Sequence, residues 1–329
     1  MQDKLTPRQV RAWSLCALSV PAAMALPGCG WLWVLGGSIL ACALAACQQA
    51  MQRHSGLCMR QAFARAFGAG GGRIMAAAEL LWLLFAASGA AAASQIAFED
   101  DLGPFLPAIP LLLAALAGQK GRLAAGRVCA VLALCLAGLY AVIAAASLRH
   151  VQADWSRPQG VPADAALAFC LCLGPVCMAF VTAEEETPRI SFGAAAASAI
   201  LPAVPTFLTA ACLSPELARQ EPLPFLTLTK SLSVLSVMQR FELLLSVAQL
   251  LGLFALLTML VCAAERMLGA VRRKNGTGST GGVFCLLAFD GSFLAYRLPI
   301  WSWAVGAAIF WGVVPILTQV IVNIKKSEK

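Results

Sequence analysis

A chain of 329 residues that is 60% hydrophobic and 12% charged, with a mean hydropathy of +0.79, has too little polar surface for a water-soluble globule. Its apolar segments are continuous rather than alternating, which excludes a transmembrane barrel and leaves an all-α polytopic membrane protein. The formal charge of +8 would suit nucleic acid, but its distribution along the chain, given below, is that of a membrane topology signal.

In chain order, the first charge-free run, 12–52, is long enough for two passes. "PGCG" at 27–30 marks the hairpin between them. Lys4, Arg8 and Arg11 precede this run without a cleavage pattern, so no removable leader is expected. "GAGGGR" at 68–73 has the composition of a phosphate loop but neither its strand nor its lysine, and reads as a cytoplasmic turn. Further spans are predicted at about 80–98, 102–116, 128–148, 165–183, 190–213, 243–264, 281–289 and 300–322, ten in all. The connections 149–164 and 214–239 are long, and "FLTLTKSLSVLSVMQ" (225–239) reads as an amphipathic helix lying on the outer face. "AEEETPR" (183–189) reads as a solvated turn on the inner side. The glycosylation-like Asn275, Gly276, Thr277 also falls on an inner loop and is discounted.

Basic residues favour cytoplasmic loops. With the N-terminus inside, ten spans place eighteen Lys and Arg in inner segments and six in outer ones. The asymmetry supports both the number of spans and cytoplasmic N- and C-termini, and it removes nucleic acid as a partner. Thirteen cysteines lie mostly in apolar runs, where they behave as small hydrophobes. His54 and His150 share no ligand spacing. No metal, cofactor or catalytic constellation is expected, so the chain does not read as an enzyme.

Irregular or polar features at membrane depth are the functional candidates. The first span, "WSLCALSVPAAMALPG" (13–28), carries Pro21 among small residues; the sixth, within "LCLGPVCMAF" (171–180), carries Gly174 and Pro175. These spans correspond if the chain is two five-helix repeats, about 8–148 and 165–322, within one membrane domain. Helix breaks at matching positions of two halves mark the binding site of many secondary transporters, because they free backbone groups near mid-membrane. The predicted ligand site is Ser19, Val20, Pro21, Ala22 and Ala23 with Cys172, Leu173, Gly174, Pro175 and Val176. Freed N–H and C=O groups together suit an α-amino acid. Pro202, Pro205 and Pro315 read as packing kinks. Glu79 falls near the inner start of the third span, and Arg240 and Glu242 at the outer start of the eighth, as an anchor or as a gate coupled to a partner.

Four stretches, in order, carry a family resemblance: "LTPRQVRAW…MALPG", "CLGPVCMAFVTAEEETPR", "LSPELARQEPLPFLTLTKSLSV" and "QRFELLLSVAQLLGLFALL". The chain resembles the GerAB-type spore germination permeases, B subunits of nutrient germinant receptors, over about residues 5–320. That resemblance implies the amino acid–polyamine–organocation superfamily, a LeuT-like 5+5 inverted repeat with broken helices 1 and 6, and a place in the spore inner membrane. It also implies an A-type membrane subunit and a C-type lipoprotein as partners. Two stretches depart from the family: Val20, Pro21 and Ala22 replace a glycine-rich break, and Val176 stands where relatives often carry an acid. The functional expectation is a sensor of a small nutrient, amino-acid-like, that signals by tighter binding to one conformation. The alternatives are a proton- or sodium-coupled amino-acid permease and a subunit with a purely structural role. The missing acid in spans one and six argues against proton coupling.

Overall fold

Apolar segments in lipid become helices because each helix pairs its own backbone groups. The computed structural model describes residues 5–97, 106–155, 160–181, 192–232, 241–272 and 280–327. Its spans are α1 (Pro7–Met24), α2 (Trp31–Ser55), α3 (Met59–Ala97), α4 (Ala108–Lys120), α5 (Arg122–Ser147), α6 (Pro162–Val181) and α7 (Phe192–Leu213). Two short helices follow, α8 (Pro215–Gln220) and α9 (Pro224–Ser231), then α10 (Phe241–Arg272), α11 (Thr280–Ala295) and α12 (Ile300–Ser327). There is no strand among the described residues. By length and composition α2, α3, α5, α7, α10 and α12 are able to cross a membrane, and α4, α6 and α11 supply shorter apolar segments. With α1, ten helices stand where ten spans were predicted.

The packing has an internal order. α1 lies against α6, α2 against α7, α3 against α10 and α4 against α11. In span numbers each contact joins span n to span n + 5. The cross pairs repeat too: α2 with α6 as α1 with α7, and α3 with α11 as α4 with α10. Two five-helix halves facing each other produce this pattern.

α1 is the central helix, with α5, α6, α7 and α10 around it. Thr6 and Gln9 form a capping box at its start, and Pro7 occupies the first turn, where a missing N–H costs nothing. Trp13 is 2% exposed and donates its indole N–H to the Ala255 carbonyl at 2.8 Å, pinning α1 to α10. The predicted hairpin is present at 25–30. There the Asp164 carboxylate, from the first turn of α6, accepts from Gly30 N–H at 2.8 Å and Val161 N–H at 3.2 Å. Burial, and next the charge of Asp164, push the Cys29 thiol up to about 12, against a lowering influence of Arg219.

Two sequence expectations change. The turn expected at 68–73 is a single reversal at Gly68 (φ +77), with helix on both sides. One left-handed residue suffices, and Gly70, Gly71 and Gly72 continue the helix. The short segment before it, 59–67, docks on the end of α12, where Lys325 donates to the Ala66 carbonyl at 2.7 Å and Ala62 and Ala66 pack with Val322. The helix expected to lie on the outer face is instead partly inserted. Phe225 and Leu228 of α9 are fully buried, and Phe225 stacks on Tyr140 at 6.0 Å. Residues 233–239, the rest of that expectation, lie outside the described residues, as do "AEEETPR" and Asn275–Thr277.

Candidate functional site

Pro21 and Pro175 are accommodated inside continuous helices, so the helix-breaking residues are not expressed as unwound segments. What each proline does remove is one backbone donor, leaving the Ala17 and Leu171 carbonyls without their usual partner four residues on. Polar pins surround both sites. Ser14 of α1 donates to the Pro175 carbonyl at 2.8 Å, and Tyr140 of α5 to the Ser19 carbonyl at 3.3 Å. α1 also meets α10 closely: a Cβ on Gly252 would collide with the Ser19 hydroxyl oxygen.

The two prolines open on one cavity of about 410 Å³, within the size range of small-molecule sites. α1 contributes Val20, Pro21, Met24 and Ala25; α6 contributes Leu171 and Pro175. α3 adds a stripe at helical spacing, Trp82, Ala86, Gly89, Ala90 and Ala93, and α10 adds Leu256 and Leu260. α12 supplies Ile300, Trp303, Ala307 and Trp311. Pro222 and Leu223 before α9, and Ala295, Tyr296 and Leu298 between α11 and α12, complete the lining.

Of the ten predicted ligand residues, Val20, Pro21 and Pro175 line this cavity. The others face packing. The Ser19 hydroxyl donates to the Cys16 carbonyl at 2.6 Å, and Ala22 and Ala23 are fully buried. Cys172 lies 3.5 Å from the Ser38 hydroxyl of α2, and Leu173 and Val176 are buried. Gly174 makes room for a neighbour, since a Cβ there would collide with the ring of Trp311. Arg240 lies outside the described residues; Glu242 is in the first turn of α10, and its side chain is likewise outside them.

Span ten was the part of the site that the sequence reading missed. α12 contains a π-helical turn, Ala308–Val313, a feature frequent at functional sites. The Trp311 and Gly312 carbonyls in it accept from the side-chain amide of Gln48, at 2.7 and 3.3 Å. Three cavity tryptophans are each seated on a glycine of a facing helix: Trp311 on Gly174, Trp82 on Gly306 and Trp303 on Gly89. Their rings form one cluster. Trp82 stacks on Phe310 at 5.5 Å, Trp311 meets Trp82 edge-on at 5.3 Å, and Trp303 stacks on Phe85. The signal was present in "WSWAVGAAIFWG" (301–312), where tryptophans alternate with small residues.

Several buried polar side-chain atoms have no hydrogen-bond partner. Among the described residues the indole nitrogens of Trp82 and Trp311 have none, nor has one carboxylate oxygen of Glu79, nor either amide atom of Gln249. Glu79 is 4% exposed and sits one turn before Trp82 on the same face of α3. Each such group costs about 1–3 kcal/mol if left unmatched.

Residues 166–288 match a family model described as spore germination protein. No curated protein sequence matches the chain. Among solved structures, the chain is similar to Mhp1, a nucleobase-cation-symport-1 family transporter in a closed conformation with bromovinylhydantoin bound. The TM-score is 0.64 at 14% identity, covering 95% of this chain and 77% of that one. These findings describe a membrane protein with a LeuT-type transporter fold, whose residues 166–288 resemble spore germination proteins.

Proposed function

We propose that this protein is the nutrient-sensing membrane subunit of a spore germination receptor, and that a small nutrient binds in the cavity between α1, α3, α6, α10 and α12. The observation that carries the reading is the convergence of Pro21 and Pro175, from corresponding helices of the two halves, on one cavity. The two halves are assigned to about 8–148 and 165–322. Occupancy shifts the bundle toward the conformation that binds the nutrient more tightly. An A-type membrane subunit and a C-type lipoprotein receive the signal, through the outer connection 214–239 and the head of α10 with Arg240 and Glu242. The site of action is the spore inner membrane, with both termini cytoplasmic.

The test is Ala90→Leu, which fills the cavity from α3. Spores carrying it, with the protein still present in the membrane, are expected to need at least tenfold more nutrient to germinate. A normal response overturns the assignment of the cavity. The transporter fold favours a second reading, a coupled permease for amino acids or similar nutrients. Gradient-driven uptake of labelled nutrient into proteoliposomes containing this protein alone, absent in Ala90→Leu, would decide for transport.

A further inference from the structure

We infer that Glu79 is a proton-binding site directly behind the cavity, and that its protonation is coupled to the packing of the Trp82–Trp311 wall in front of it. The inference goes beyond the nutrient reading and does not depend on it. The stripe of α3 that lines the cavity runs from Ala93 to Trp82. Glu79 continues that stripe, two helical turns before Ala86 and three before Ala90. α12 runs antiparallel alongside, with Trp303 seated on Gly89 and Trp82 on Gly306. In this direction the lining of the two helices ends at Trp82 and Trp311, whose rings meet edge-on. Glu79 is the next position of the α3 stripe behind them and is 4% exposed.

A carboxylate at this place has nothing to compensate it. One oxygen is fully enclosed and unpaired, and no basic side chain among the described residues bonds to it. α3 packs against α10, α11 and α12. On α10, Glu242 and Arg272 stand in the first and last turns, and Cys262, Glu265 and Arg266 between them. Glu265 is turned toward α4 and α11, where its carboxylate approaches the Cβ positions of Gly118 and Gly281. α11 carries buried Cys285 and exposed Asp290. Lys325 and Lys326 of α12 are spent on the Ala66 and His54 carbonyls, and Arg73 of α3 itself is exposed. An uncompensated carboxylate in an apolar bundle is costly, whereas the neutral acid is tolerated. Beyond Trp311, α12 adds two enclosed acceptors without donors, the side-chain oxygens of Gln319 and Asn323, one turn apart on the way to Lys325. They supply a polar line toward that end of the bundle. With the wall packed, Glu79 is shut in and keeps its proton. When Trp82 and Trp311 shift, water enters, Glu79 gives its proton to that water, and the hydrated carboxylate holds the wall apart. Low pH thus favours the packed wall and high pH the loosened one.

The test uses the full chain in lipid nanodiscs, with the proton as the probe. Infrared spectra are taken at about pH 7, where exposed carboxyls are ionised. They are expected to show the C=O stretch of a protonated carboxylic acid, absent in Glu79→Gln and shifted in Glu79→Asp. Raising the pH is expected to remove this band. Over the same interval, acrylamide quenching of tryptophan fluorescence should rise at least twofold, while in Glu79→Gln it stays flat. Both variants are checked for unchanged helicity and elution. No acid band in the unmodified chain overturns the inference; a carboxylate held by the indole N–H groups of Trp82 and Trp311 would give that result. A band unchanged in both variants also overturns it, as does one that titrates with no change in quenching. The cavity reading fails separately: Ala90→Leu spores that germinate normally, with the Glu79 band intact, dismiss the nutrient site and leave the proton site standing.

Discussion

At the scale of single residues, the site is decided by what is missing from glycine. Gly252 lets α10 approach α1 until its backbone meets Ser19. Gly252→Ala is therefore expected to destabilise the fold by about 1–3 kcal/mol through overpacking. Ser19→Ala in the same chain removes the colliding oxygen and should recover at least half of that loss, measured by thermal unfolding in detergent. A double variant no more stable than Gly252→Ala would show that the contact is not the cause. Cys29 gives a second residue-scale prediction. Its thiol is pushed up to about 12, chiefly by burial, and the thiolate is the reactive form. Maleimide labelling of Cys29, followed by peptide mass spectrometry, should be slow at pH 8 and rise about tenfold per pH unit up to the pKa. The direction follows from the sign: a raised thiol pKa keeps the group protonated through neutral pH. Asp164→Ala removes the second cause and is expected to speed labelling.

At the scale of elements, proline positions were legible and their consequences were not. The sequence shows Pro21 and Pro175 in corresponding spans, and proline's missing donor and its clash with the preceding turn predict that both interrupt helices. Neighbouring helices instead hold each backbone helical, with Ser14 bonded to the Pro175 carbonyl and Tyr140 to that of Ser19. Pro175→Ala restores the donor for Leu171 and removes the ring's clash with the preceding turn. It is expected to raise the unfolding temperature while weakening the nutrient response; a variant both less stable and fully responsive would contradict this account. The π-turn of α12 could not be read from residue pattern, because it depends on i→i+5 bonding and on Gln48 of another helix. Similarly, "GAGGGR" announced a turn by composition, while only Gly68 takes the left-handed backbone.

For the whole molecule, the contacts of span n with span n + 5 place α1 and α6 at the centre and bring α3, α10 and α12 around them. The sequence reading anticipated spans one and six at the ligand, and both line the cavity, with spans three and eight beside them. Span ten was absent from that set because its tryptophans, read alone, are ordinary apolar residues of a lipid-facing helix. The charge asymmetry makes a prediction at this scale. A fluorescent protein fused after residue 329 should fold and fluoresce on the cytoplasmic side, and cysteines placed in 149–164 should label from outside. The reverse pattern would overturn the proposed orientation.

By itself, the sequence determined the class of molecule, the number of spans, the two marked prolines and the resemblance to spore germination permeases. These are local or compositional properties: apolar length against bilayer thickness, loop charge, and residue order. Tertiary structure alone decided which faces of the marked helices see space. Val20, Pro21 and Pro175 open on the cavity, while Ser19, Ala22, Gly174 and Val176 are consumed by packing. The reason is geometric. Helices in lipid are apolar all round, so no amphipathic stripe tells the inward face from the outward one, and only the neighbours' small residues fix how closely and in which rotation they meet.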